Sequence, residues 1–242
     1  MRAGGHSPWC AVSVLLLAFA VGGLALCFKL VSAHRQAAAV AAIRAIGGTV
    51  RYEYEVSPEG YWLEAEPPSY RGLTALLGVD LFCAVRSVDF PKGVSDHEVR
   101  HILHIPSVRA INLAYCYDIS DEGVAYLARL PNLRVLDLYR NDLMERNNHI
   151  PDGFDLETQG RITDASLAHL STSKTLEELH LMDNEFTDVG LTHLARVKSL
   201  REVTARSPRF TESGVVSLKK ALPNAKVSVD ITPSAVVTPV SP

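Results

Sequence analysis

From residue 85 onward two hydrophobic patterns alternate along the chain. The first is a short apolar stretch of the form L-x-x-L-x-L. It runs Val85, Val88, Phe90, then Val108, Ile111, Leu113, then Leu133, Leu136, Leu138, then Leu176, Leu179, Leu181, and finally Leu200, Val203, Ala205. Its period of two predicts a strand whose apolar side chains face inward. The second pattern is a block [ST]-[DE]-x-x-[LV], starting at Ser95, Ser120, Thr163, Thr187 and Thr211. There Ser or Thr suits a helix N-cap, and the acid beside it favours the positive helix end. Apolar residues then follow at helical spacing, as in Val124, Leu127, Leu130 and in Leu191, Leu194, Val197.

The five blocks are separated by 25, 43, 24 and 24 residues. A fixed period of this size predicts a solenoid of strand-helix units, none of which buries its apolar face alone. The long step is one unit plus an insertion over residues 142–160. At the ninth place of the strand pattern stand Gly93, Cys116, Asn141, Asn184 and Pro208. An Asn side-chain amide there can bond the exposed backbone of the next turn, and Cys116 is a weaker substitute.

Upstream the pattern changes. Between Arg2 and Lys29 no residue is charged, and Trp9 to Phe28 is an apolar run long enough for a bilayer core. A retained transmembrane anchor over 9–33 is the expectation. The rival reading is a cleaved signal peptide, with Val31-Ser32-Ala33 as the cleavage site. Lys29, Arg35 and Arg44 after the run, against Arg2 before it, lean toward a cytoplasmic C-terminal side. Residues 34–84 then predict a small cap. Gln36 to Ile46 is an Ala-rich helix ended by Gly47-Gly48, Thr49–Val56 and Tyr61–Glu66 form a hairpin, and Arg71–Leu77 is a short helix. The expected division is a tail over 1–8, the anchor, this cap, repeats over 85–229 and a disordered tail over 230–242.

The stretches ISDEGVAYLARLPNLRVLDL and FTDVGLTHLARVKSL resemble leucine-rich repeats whose helices begin I-T-D-x-G-L. RQAAAVAAIRAIGGTVRYEYE after a membrane segment, then LLGVDLFCAVRSVDF, resembles a group of bacterial membrane-anchored leucine-rich-repeat proteins; the likeness covers residues 9–229. It implies an α/β, right-handed leucine-rich-repeat solenoid of about five strand-helix repeats, with a parallel concave sheet. A transmembrane helix and a helix-hairpin cap precede it. Similar repeats serve as substrate-recruiting subunits of ubiquitin ligases, but no segment here matches the F-box those need.

Composition narrows the function classes. Of 242 residues 47% are hydrophobic, with 24 Lys and Arg against 27 Asp and Glu, so no basic nucleic-acid footprint exists. The first 35 residues hold no acid, so the whole acidic excess lies beyond them. Four cysteines are too few for a disulfide scaffold. Cys10 and Cys27 fall in the apolar run, and Cys83 and Cys116 are expected inside the solenoid. No H-E-x-x-H, C-x-x-C, G-x-S-x-G or phosphate-loop pattern is present. His97 and His101 have metal-ligand spacing, with His104 nearby, but an exposed helix face explains them better.

The outward strand positions remain. The central row is Asp89, Asn112, Asp137, His180 and Thr204; beside it run Ser87, Ala110, Val135, Glu178 and Glu202, and on the other side Pro91, Ala114, Tyr139, Met182 and Arg206. Arg86, Arg109, Arg134 and Arg201 recur just before, with Glu177 breaking the row. The candidate protein-binding residues are Asn112, Asp137, Tyr139, Arg140, His180 and Met182. The insertion has Asp152, Asp155 and Glu157 near Gly153 but does not meet the calcium-loop pattern, and it is expected to be a tolerated surface excursion. The expected function is a single-pass, membrane-tethered, non-catalytic protein-interaction module without cofactor, nucleic acid or small-molecule substrate. The alternative is a structural envelope scaffold with no discrete ligand.

Overall fold

A computed structural model describes residues 8–57, 63–67, 71–116, 118–139, 162–182 and 186–231, with the side chains at 8–19, 71 and 75 excepted. The chain enters as one long helix, α1 (Pro8–Ala45). Gly47 ends it in the left-handed region at φ 89°. Then come β1 (Thr49–Tyr52) and the short α2 (Arg71–Leu77). After these, strands and helices alternate: β2 (Val85–Asp89), α3 (Asp96–Val99, continued as a tighter turn to His104), β3 (Ala110–Asn112), α4 (Asp121–Leu127) and β4 (Val135–Asp137). The series continues with α5 (Asp164–Leu170), β5 (Glu178–Met182), α6 (Asp188–Leu194), β6 (Glu202–Arg206), α7 (Glu212–Ala221) and β7 (Lys226–Asp230).

The seven strands form one sheet in sequence order. Strands β2 to β7 are parallel, and β1 lies antiparallel on β2 with Val50 opposite Val88. The register follows the repeat: Val88, Ile111, Leu136, Leu179 and Val203 are Cα partners in turn. All five are buried, as are Phe90, Leu113, Leu138, Leu181 and Ala205 two residues on. The helices close this core from the other side with Val99, Val124, Leu167, Leu191 and Val215, and one turn later with Ile102, Leu127, Leu170, Leu194 and Leu218. Packed helices need about 8–10 Å between axes and strands only about 4.8 Å. The helix side is therefore the wide one, and the sheet lines the inside of the bend.

Of the hairpin expected over Thr49–Glu66, residues 58–62 lie outside the described residues, and Leu63 N donates to the Glu55 carbonyl at 2.9 Å. The ladder of β1 is made with β2, and residues 53–55 form a single tight turn. β2 is the first parallel strand, and its outer edge is otherwise open. Its unpaired backbone groups are satisfied by the nearest β-forming segment. At the other end β7, ending at Asp230, adds a sixth parallel strand beyond the five expected.

Among the described residues no helix is long and apolar enough to cross a membrane. The transmembrane helix expected over 9–33 is thus not found there. The apolar run begins at positions whose side chains lie outside the description, and the later part of α1 carries Lys29, Arg35 and Gln36. The later part docks on the cap. Ala39, Val40 and Ile43 are buried, and Gln36 Nε2 donates to Asp80 Oδ1 (2.9 Å) and to the Cys83 carbonyl (3.1 Å). Tyr52 donates its hydroxyl to the same Asp80 oxygen at 2.9 Å. The insertion at 142–160 and the tail at 232–242 lie outside the described residues.

Candidate functional site: the open sheet face

Each strand is held in place by the helix that follows it. Ser120, Thr163, Thr187 and Thr211 are N-caps whose hydroxyls accept from the backbone N–H of Glu122, Ala165, Val189 and Gly214. The aspartates at the first helical position, Asp96, Asp121, Asp164 and Asp188, reach into the next repeat. Asp96 accepts from Ser120 N (3.0 Å) and Ser120 Oγ (2.5 Å). Asp164 accepts from Thr187 N and Oγ1, and Asp188 from Thr211 N and Oγ1, at 2.9 and 2.5 Å in both cases. Asp121 spans the insertion. It accepts from Thr163 N (2.8 Å), Thr163 Oγ1 (2.7 Å), Ser166 N (3.0 Å) and Ser166 Oγ (2.5 Å).

These carboxylates explain the glycine of the T-D-x-G pattern. A Cβ on Gly123, Gly190 or Gly214 would overlap the Asp of the preceding repeat. In α5 the same place is Ser166, which avoids the conflict by donating to the Asp. Burial pushes the Asp121 carboxyl up, but hydrogen bonds from Ser166 and Thr163 outweigh it and hold the group below its usual range. The first block has no preceding repeat. There Ser95 gives both its N–H (2.9 Å) and its hydroxyl to Glu98 of its own helix.

The resulting register brings Asn112, Asp137, His180 and Thr204 together as successive Cα partners on the open face. Asn112 is exposed, and Asp137, His180 and Thr204 are half-buried. Asp89, first in the row, is committed to Arg51 of β1 at 2.9 Å. Asn112 Oδ1 accepts from Ala114 N and Asp137 Oδ1 from Tyr139 N, each at 2.8 Å. Both side chains therefore shape the turn that leaves their strand. Glu202, partner of Glu178, pairs with Lys226 at 2.7 Å. The hydrogen bond from Lys226 and its charge hold the Glu202 carboxyl low, with a smaller contribution from His180.

Tyr139 and Met182 stand where the strands end, and Arg140 lies outside the described residues. Tyr139 meets Tyr115 edge to face, with ring centres 5.5 Å apart at 69°. Lys92 Nζ sits 4.9 Å from the Tyr115 ring centre. The reading of outward strand positions missed Tyr115 because it falls past the strand. Its backbone is left-handed at φ 64°, an uncommon state for a bulky residue. The available signal was a large aromatic at the eighth repeat position, just where the chain turns. On the helix side His97 and His101 meet edge to face at 6.3 Å. Among the described residues no three His, Cys, Asp or Glu side chains could together hold a metal ion.

Residues 104–128 and 172–195 match a family model described as Leucine Rich repeat. These two segments are similar to leucine-rich repeats. Each matched segment holds one strand and the helix after it, β3 with α4 and β5 with α6. No curated protein matches the chain.

Proposed function

We propose that the protein is a membrane-tethered, non-catalytic interaction module that holds a protein partner on its open sheet face. Leucine-rich-repeat domains generally mediate protein–protein contact, and rigid repeats present extended concave surfaces. The observation that carries this reading is the in-register row Asn112, Asp137, His180, flanked at its rim by Tyr139 and Tyr115. Tyrosine supplies contact area with one polar tip, as recognition surfaces require. Arg140 and Met182 extend the same rim in sequence.

The tether rests on the apolar run Trp9–Phe28 and on α1, where Val21, Leu24, Leu26 and Phe28 are exposed, Phe28 at 68%. Side chains exposed to that degree gain by transfer into a lipid phase. The positive flank after the run favours a cytoplasmic repeat domain. Proximity labelling from a ligase fused to the C-terminus, followed by cross-linking, tests the reading. His180→Ala with Tyr139→Ala should abolish the captured complex. An unchanged complex would favour the alternative, a structural scaffold without a discrete ligand. Alkaline carbonate washing should leave the chain in the membrane pellet, and its release would refute the tether.

A further inference from the structure

At the opposite end of the strands from the tyrosine pair stand Arg86, the second residue of β2, and Arg109 and Arg134, which immediately precede β3 and β4. Their backbones are locked in step: Arg109 N donates to the Arg86 carbonyl (2.9 Å) and Arg134 N to the Arg109 carbonyl (2.7 Å). Three guanidinium groups therefore leave neighbouring strands about 4.8 Å apart. Arg134 is neutralised by Glu177 at 3.1 Å. Arg86 and Arg109 have no ion-pair partner among the described residues. Arg86 is nevertheless half-buried. Burial lowers its pKa first, and the like charges of Arg109 and Arg134 lower it further. An unpaired, crowded guanidinium costs stability, so its natural complement is an anion.

A small pocket of about 130 Å³ opens between these groups, lined by Arg86, Arg109, Ser107, Asn132 and Glu53. Its walls are braced. Ser107 Oγ donates to the Val85 carbonyl (3.1 Å), and Asn132 Nδ2 donates to the Pro106 carbonyl (2.9 Å). The second hydrogen of Asn132 Nδ2 stays available. Glu53 opposes the lowered Arg86 pKa through its charge but stands outside ion-pair reach. Two guanidinium groups against one resident carboxylate leave room for a single further negative charge. Planar forked donors suit a planar carboxylate.

We propose that the Arg86–Arg109 pocket is a carboxylate-binding site. The carboxylate is carried on an acidic protein segment or on a free small acid. The site lies at the strand edge away from Tyr139 and His180, so it stands or falls independently of recognition on the open face. Resident Glu53 tunes the affinity downward by competing for Arg86.

The test uses the full chain in non-ionic detergent with a tetraglutamate peptide bearing a neutral fluorophore, read by anisotropy. Arg86→Gln and Arg109→Gln should each weaken binding by about tenfold or more. Glu53→Gln should strengthen it several-fold. Arg201→Gln, at the same repeat position just before β6 but outside the pocket, should leave it unchanged. Arg86→Gln should also keep or raise the melting temperature, since it relieves like-charge crowding. Competition by succinate near the peptide's own concentration would support the pocket with a free acid as source, and failure to compete would support it with a protein-borne carboxylate. Equal loss in Arg201→Gln, no gain in Glu53→Gln, or no binding by the parent chain would overturn the proposal.

Discussion

Asp121→Ala is expected to be the most damaging polar substitution in the solenoid. The carboxylate takes four hydrogen bonds across the long step, two from Thr163 and two from Ser166. A hydrogen bond to a charged group contributes about 1.5–3 kcal/mol net, but these four are not additive. Thr163 is only half-buried, so water replaces part of what its donors lose. Ser166 is 0% exposed, so its N–H and hydroxyl lose their acceptor where water does not reach, at about 1–3 kcal/mol. A total of about 3–5 kcal/mol follows. Asp188→Ala removes only the two bonds to Thr211, which is exposed, and should cost about 1–2 kcal/mol. Urea unfolding of the full chain in non-ionic detergent, followed by far-ultraviolet circular dichroism, measures both. Adding Ser166→Gly to Asp121→Ala should recover part of the loss, because it removes the stranded hydroxyl and restores the residue used in the other repeats. Equal small losses for Asp121→Ala and Asp188→Ala, or no recovery in the double variant, would refute the clamp.

Gly190→Ala should destabilise by about 1–3 kcal/mol although alanine is the better helix former, because its Cβ would overlap the Asp164 carboxylate and stand 2.7 Å from Leu167 Cδ1. Gly72→Ala in α2 meets nothing within 4 Å and should be stabilising by up to about 1 kcal/mol, so urea midpoints should move in opposite directions. The Asp121 carboxyl is held below its ordinary value of about 3.9, so its stabilisation is present above that pH and is lost as pH falls through the folded value. The drop in urea midpoint between pH 6 and pH 3 should accordingly be smaller in Asp121→Asn than in the parent chain. Leu181→Asp places an unpaired charge at a fully buried position and should expose amides in the neighbouring repeats to hydrogen exchange, not only those of β5.

The repeat itself was legible because its determinants are local. An N-cap, the apolar residues one turn later and the L-x-L strand all lie within a few positions of each other. Thr187 and Leu191 therefore hold the places their spacing predicts. The same period put Asn112, Asp137 and His180 on one face before any neighbour was known. What only the stacked structure decided lies between repeats. Asp164 reads locally as a helix-start acid, yet its oxygens serve Thr187 23 residues away. No short-range pattern carries that distance. β1 reads locally as a hairpin strand, and only the stacked structure shows that it also closes the open edge of β2. Tyr115 acquires its place beside Tyr139 only because two turns of the solenoid lie side by side. Arg86 and Arg109 are unremarkable surface charges in sequence and become a pocket only when adjacent strands bring them within each other's field. Local chain stiffness and capping chemistry determine the unit. Charge and hydrogen bonding across the stack determine what the units do together.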